Sequence, residues 1–318
     1  MSGSGLDLAF DETQQAVADS VAQLCREHCG DDALRAGAGR FPAGPWKALA
    51  ELGVLALGTP EGQGGAVEMV AALESLGRAA FPGPLAETFL ACRLLPEAER
   101  RALALGERIV SVGTPPLLPF APVAEVFVEI DGERAWRARP AGPIEAVATL
   151  GGEPWGRVRL ERQAELPGAD EALALHATAL AAYLAAAGRR LVDDTAGYAR
   201  SRRQFGRPIG EFQAVAHPLA DCAIRLDGVA ALARAAAADG PREGRLRAAA
   251  AGLAARRAAV AAAHTCHQLF GAVGITVEGP VFHVSRRLMQ LAGGAPGEAW
   301  ARRVLLEGFD VPRDRSEP

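Results

Sequence analysis

The stretch Tyr198-Ala-Arg-Ser-Arg-Arg-Gln-Phe-Gly-Arg-Pro-Ile-Gly-Glu-Phe-Gln213, running on to His217 and Ala220-Asp221, decides how this chain reads. A long helical pattern enters it and ends among four arginines, Arg200, Arg202, Arg203 and Arg207. Phe205-Gly206 and Pro208 are expected to stop that helix. A second helical pattern starts at Glu211, with Gln213 on the same turn. Cations, an amide and an aromatic ring at a helix–helix corner could hold a diphosphate and a flat group. Basic residues in a last helical turn also offset the helix dipole, and spacing alone does not separate the two readings.

Outward from this corner the pattern is helical from Ala169 to about residue 307. Helices are expected near 169–203, 211–238, 242–270 and 280–306, the first about 50 Å long at 1.5 Å per residue. Long helices with short connections predict an antiparallel four-helix bundle. Upstream, residues 6 to about 105 also read as helices. Asp11 with Gln14 forms a capping-box start, Val17, Val21 and Leu24 follow at helical spacing, and Gly53, Gly77 and Pro82-Gly-Pro84 punctuate the rest. Between the two helical parts the chain turns β-branched and is broken by Pro and Gly. Ile109-Val-Ser-Val-Gly113, Val123 to Ile130 and Val158 to Leu160 read as strands of a small sheet. The expected fold is mostly α, with an N-terminal helical domain over 1–107, a reduced β-domain over 108–167 and a C-terminal four-helix bundle over 168–318.

With 318 residues and a net charge of −4, the chain has ample core and no charge signature of nucleic-acid binding. Lys47 is its only lysine. The cysteines, Cys25, Cys29, Cys92, Cys222 and Cys266, are odd in number and sit mostly in helical patterns, which points to reduced thiols in a cytoplasmic protein. Cys25-x-x-His28-Cys29 lacks a second ligand pair at sensible spacing, so no metal is expected. His264 and His267 flank Cys266 without a further ligand and read as packing. Met1 to Asp7 lacks the basic end and apolar run of a signal peptide. The most apolar stretch, Ala172 to Ala187, is short for a membrane span and reads as a buried bundle helix.

The corner resembles the signature of the acyl-CoA dehydrogenases: Tyr, then Arg-x-Gln-Phe-Gly, then Phe-Gln and a downstream Ala-Asp. The resemblance implies a corner that reaches across a dimer interface to the FAD of the neighbouring subunit. Arg202 and Gln204 would contact its pyrophosphate, and Phe205 and Gln213 would line the rest. His267-Gln268-Leu-Phe-Gly271-Ala-Val-Gly274-Ile-Thr-Val-Glu278 is similar to the family's Gln-x-x-Gly-Gly-x-Gly loop, with Ala272 replacing the second glycine. It implies Gln268 and Gly271 near the pyrophosphate, where glycine lets backbone approach closely; an ordinary helix C-cap would use the same residues. Leu8-Ala-Phe-Asp-Glu-Thr-Gln14, Trp46 to Leu57, Thr59-Pro-Glu-Gly-Gln-Gly-Gly65 and the run from Glu74 through Gly77 to Pro82 and Pro84 fit the family in order and spacing.

The family's reaction needs a base for the α proton of a thioester, and the flavin takes the β hydride. The resemblance puts the usual catalytic Glu at or near Ala295, within Gly293-Gly-Ala-Pro-Gly297, where there is no carboxylate. An alternative family position on the first bundle helix falls close to His176, whose imidazole could act as a base near neutral pH or simply sit in the core. Glu298 lies near the lost position, and Glu171 points elsewhere on the helix. Ala174 and Ala177 stand where the family has an Asp-x-x-Arg contact to CoA. The Thr-Glu-Pro strand and Trp-x-Thr segment that cover the flavin are missing, and Trp136 and Trp155 lack that context.

Phe282-His283-Val-Ser-Arg286-Arg287 and Gly293-Gly294 resemble a shorter actinobacterial subclass of sterol-type catabolism. Its members pair with a full-length partner in α2β2 assemblies carrying half the usual FAD sites. The leading expectation is therefore an FAD-dependent subunit for α,β-dehydrogenation of an acyl-CoA or acyl-carrier thioester. It would complete a flavin site shared with a full-length partner, or act as a homodimer, while contributing no classical base; His176 and Glu298 are the candidate acid or base of a non-redox alternative. The alternatives are a non-redox acid/base enzyme on the same fold and a non-catalytic structural subunit.

Overall fold

The computed structural model describes residues 8–29, 40–59, 62–277, 279–294 and 296–309. The N-terminal helices are α1 (Glu12–His28), α2 (Ala43–Glu51), α3 (Ala66–Arg78), α4 (Leu85–Leu94) and α5 (Glu97–Ala104). The capping box at α1 forms as its spacing predicts: the Asp11 carboxylate accepts from Gln14 N at 2.8 Å and Gln14 Oε1 accepts from Asp11 N at 3.0 Å. Glu68 serves α3 in the same way, accepting from Gly65 N at 2.7 Å. Gly77 lets α3 cross the bundle closely, since a Cβ there would stand 2.4 Å from the Tyr183 carbonyl oxygen. Helix α4 is buried on every side except at Arg93, and its buried set includes Glu87.

The strands are β1 (Val110–Gly113), β2 (Leu117–Pro119), β3 (Val126–Asp131), β4 (Arg134–Pro140), β5 (Glu145–Val147), β6 (Trp155–Arg157) and β7 (Leu160–Leu166). They form one sheet in the order β1-β3-β4-β7 and a second in the order β2-β6-β5. Only β1 and β3 run parallel among these pairs. Of the stretch Val158 to Leu160, expected as a strand, Val158 and Arg159 form the junction of β6 and β7, and Leu160 opens β7. Strand β4 and most of β7 escaped the pattern because their outer face is a ladder of charges. Arg134 pairs with Glu165, and Arg162 with Glu129 and Asp131. The Arg134 and Arg162 guanidiniums lie 4.8 and 3.8 Å from the centroid of the Trp136 ring.

The bundle comprises α6 (Ala169–Ser201), α7 (Gln213–Ala238), α8 (Pro241–Phe270), α9 (Pro280–Gly294) and α10 (Glu298–Gly308), with the short strands β8 (Arg203–Gln204) and β9 (Arg207–Pro208) between α6 and α7. The single helix expected over 280–306 is two, α9 and α10, parted near Gly297 at φ +93°. Small residues let the rods approach: a Cβ on Gly252 of α8 would lie 3.1 Å from Ala177 Cβ of α6. Helix α6 is the one helix among the described residues long and apolar enough to cross a membrane, and 83% of its apolar window is buried inside the protein. It is the central rod of the core, as its sequence reads. Arg234 of α7 ties the N-terminal helices to the bundle through a two-pronged bridge to Glu74 at 2.7 and 2.6 Å, with its guanidinium 3.9 Å from the Phe10 ring centroid.

Candidate functional site

Helix α6 ends at Ser201, where Arg202 N still donates to Tyr198 O at 2.8 Å. The chain does not simply stop there; it folds into a hairpin. Arg203 pairs with Pro208 and Gln204 with Arg207, and Ile209 N donates to Arg202 O at 2.8 Å. The turn residues Phe205 and Gly206 both have positive φ, 51° and 82°. Two consecutive left-handed residues match a tight turn that follows the strand twist. Glycine adopts this conformation freely, whereas phenylalanine is strained in it.

The strained residue is also presented to solvent. Phe205 is 93% exposed, touching its own chain edge-on at Phe212, centroid to centroid 6.1 Å. The Arg207 guanidinium sits 4.1 Å from the Phe212 ring centroid. Arg202, Arg203, Gln204, Arg207 and Gln213 are exposed around it. Among the described residues Arg202 has no ion-pair partner. The helix-dipole reading of these arginines concerns the last turn of α6, whereas Arg202, Arg203 and Arg207 lie beyond its end.

The second segment meets the first. The ring of Phe270, last residue of α8, stacks on Tyr198 of α6 with centroids 4.4 Å apart and planes within 16°. Gln268 on the last turn of α8 and Gly271 just beyond it are exposed. Gly271 has φ +62°, and nothing lies within 4 Å of where its Cβ would be. Bare backbone, guanidiniums and amides on one surface are the donor set that binds a diphosphate, and Phe205 offers a flat apolar contact. The residues present therefore fit a flavin dinucleotide. Nearby, His267 Nε2 lies 2.6 Å from Ser285 Oγ of α9 and His283 Nε2 lies 3.0 Å from Val277 O, so the first is tied to α9 and the second to the loop before it.

The base candidates lie apart from this surface. His176 of α6 is buried, and burial, with Arg256 adding to it, lowers its pKa to about 3. Its Nε2 has no hydrogen-bond partner. Glu298 opens α10 and accepts from Arg302 at 2.7 Å, which holds its carboxyl below the usual range. Ala295, the expected position of the family's base, lies outside the described residues. The carbonyls of Ala292 and Pro296 on either side of it accept from Arg256 at 2.8 and 2.9 Å. The close approach of α8 at Ala177 leaves no space there for an arginine of the CoA-contact type.

The structure adds two features that sequence reading missed. Arg256 holds the carbonyls of Ala292 and Pro296. Arg287, read from sequence only as part of the Phe282–Arg287 resemblance, is buried with Glu153, Tyr183 and Glu87. The signal for the latter was a glutamate inside the apolar run Leu85-Ala-Glu-Thr-Phe-Leu90. A groove of about 800 Å³ among Val17, Val21, Leu57, Arg101 and Leu105 is lined by none of the corner residues.

This combination of helices, small sheets and bundle, with two polar segments joined at one bundle end, has relatives. Residues 11–96 match the family described as acyl-CoA dehydrogenase, N-terminal domain, and residues 167–297 the one described as acyl-CoA dehydrogenase, C-terminal domain. The chain is 34% identical over 292 residues to acyl-CoA dehydrogenase IpdE2 of Mycobacterium tuberculosis, covering 84% of this chain and 88% of that protein. It superposes on a chain of the ChsE4–ChsE5 complex from the same organism with a TM-score of 0.80 and 26% identity, over 97% of this chain and 100% of the other. PigA with FAD and proline shares the fold, with a TM-score of 0.80, 17% identity and coverage of 96% and 100%. The chain belongs to the acyl-CoA dehydrogenase family.

Proposed function

We propose that this chain is a subunit of an FAD-dependent dehydrogenase that oxidises the α,β bond of an acyl thioester, and that its corner completes a flavin site lying mostly in a full-length partner subunit. The observation that carries this reading is the outward hairpin that follows α6: Arg202 is exposed without an ion-pair partner among the described residues, and Phe205 is held in strained backbone with its ring in solvent. Arg202, Gln204, Gln268 and the backbone at Gly271 would take the diphosphate, and Phe205 and Gln213 the remainder of the dinucleotide. The flavin, when bound, supplies the hydride acceptor. This chain contributes charge, shape and exclusion of water, while the α proton goes to a base on the partner.

The likeness to a chain of the ChsE4–ChsE5 complex, itself an assembly of two differently named proteins, supports a hetero-oligomer. The reading does not use His176 or Glu298 as the base. Protonating His176 would bury an unpaired cation, and Glu298 is an anion already held by Arg302. The burial of His176 also argues against a non-redox enzyme built on it.

The test is an absorption spectrum of the purified chain, alone and mixed with a full-length acyl-CoA dehydrogenase encoded beside it. Flavin and turnover are expected only in the mixture. A yellow homodimer that oxidises acyl-CoA unaided would overturn the subunit reading.

A further inference from the structure

Far along α6 from the corner, the protein encloses a charged cluster that the proposed function does not use. Glu87 of α4, Tyr183 of α6, Arg287 of α9 and Glu153 of the loop between β5 and β6 are each less than a tenth exposed. Arg287 Nη1 makes an ion pair with Glu153, and its Nε donates to Tyr183 Oη at 2.6 Å. Tyr183 in turn donates to Phe81 O at 3.0 Å, and Gln290 Nε2 donates to Glu153 at 3.3 Å. None of these donors reaches Glu87. With Tyr183, Arg287, Leu180 and Leu291 it lines a cavity of about 10 Å³, room for one water at most.

Two carboxyls therefore share one guanidinium out of water. A second buried anion without its own cation is unfavourable, and the lower-energy state keeps one carboxyl neutral. Burial raises both carboxyls, but Glu153 alone has Arg287 and Gln290 as donors, so the proton belongs to Glu87. The groups facing Glu87 are Glu153 from the loop, Arg287 from α9 and Tyr183 from α6. Cys25 of α1 and Cys29 at its C-cap are buried within electrostatic range, Cys25 of Tyr183 and Cys29 of Arg287. Burial chiefly, with Glu153 adding to it, pushes Glu87 up to about 7 against the pull of its own backbone N–H and of Arg287.

Around Glu153 the loop is strapped to α9. Arg286 Nε donates to Leu150 O, and Gly151 N donates to Gln290 Oε1. The Trp155 ring packs so closely on Gly294 that a Cβ there would be 2.6 Å away. We propose that the cluster is a proton-binding site, with the proton on Glu87, and that this proton governs how firmly Glu153 clasps the 149–155 segment to α9. When Glu87 ionises, Arg287 faces two anions, Glu153 loses its exclusive partner, and the open state gains because Glu87 can then take the guanidinium.

The clasp is tightest below the ordinary carboxyl range, weakens as pH rises through about 7, and is level above it. Hydrogen exchange of the intact chain reads this directly. Protection at 149–155, corrected for intrinsic exchange, is expected to fall by up to about tenfold per pH unit between pH 5 and 7, and to stay level in Glu87→Gln. Infrared spectra of the wild type at pH 6 should contain the carbonyl stretch of an un-ionised buried carboxyl. That band should be lost in Glu87→Gln, and also in Glu153→Gln, where Glu87 ionises against Arg287. Absence of the band in the wild type, its persistence in Glu153→Gln, or identical exchange profiles in wild type and Glu87→Gln would overturn the proposal. If Glu87→Gln does not fold, the wild-type infrared titration alone decides.

Discussion

The ring of Tyr198 lies flat on the ring of Phe270, 4.4 Å between centroids. One residue sits a turn before the Arg202 hairpin and the other immediately before Gly271. This single stack converts two segments distant in the chain into one surface. Neither ring needs to touch a ligand for the surface to depend on it. Tyr198→Ala should lower stability by about 1–3 kcal/mol, from lost burial and stacking. It should also reduce FAD retained by the assembly although Arg202 and Gln268 are intact. Flavin per subunit after gel filtration, beside a urea melt, checks both.

Arg202→Ala should leave the free chain's melting temperature unchanged, because the side chain is exposed and unpaired. In the assembly it should weaken FAD binding by about tenfold or more, the loss of a charge-assisted hydrogen bond of roughly 1.5–3 kcal/mol. Fluorescence titration of the flavin-stripped assembly measures it. Unchanged retention would favour a scaffold that merely stabilises its partner.

Phe205 spends its strained backbone on display. Phe205→Gly should relieve roughly 1 kcal/mol of left-handed strain, offset in part by glycine's greater chain entropy. The free chain should therefore be no less stable, while FAD retention falls. A fall in both would mean the ring serves its own fold, and chemical denaturation with flavin quantification separates the cases.

His176 gives a signed pH dependence. Its pKa falls on folding from the ordinary imidazole range to about 3, so between these values the unfolded chain binds the extra proton. Stability from this residue is complete at neutral pH and is lost as pH falls. The loss should be about 2 kcal/mol between pH 6.5 and 5. His176→Leu should flatten that decline without changing turnover of the assembly near pH 7. A proportional loss of turnover would restore His176 as the base.

Removing the cation from the buried cluster should be far more damaging than removing one at the corner. Arg287→Met strands Glu153 without its guanidinium and should cost about 3–5 kcal/mol, read from urea melts at pH 7. The contrast with Arg202→Ala tests the assignment of one arginine to the fold and the other to binding.

The corner was legible because its chemistry is contiguous. Arg202, Gln204, Phe205 and Gln213 fall within a dozen residues, and Gly206 and Pro208 mark the turn locally, although the positive φ of Phe205 is not a preference its side chain announces. The same holds for the Asp11 box and the long apolar rods. Strands β4 and β7 were not legible, because Trp136 is covered by arginines and the exposed ladder carries little apolar alternation. The break at Gly297 was legible in Gly293-Gly-Ala-Pro-Gly297, where Pro296 cannot continue a helix, and the expectation of one helix over 280–306 passed over it.

Helix positions, the tight hairpin and the cationic surface thus follow from the order of residues alone, since each depends on neighbours within a few turns. The tertiary structure alone decided what was buried with what. Glu87, Glu153, Tyr183 and Arg287 stand on four segments up to two hundred residues apart, and the 160 residues separating Glu74 from Arg234 are crossed by one ion pair. Whether a carboxyl is an anion, an ion-pair partner or a neutral acid depends on the dielectric and the charges around it, and those are supplied by distant chain segments only after packing brings them together.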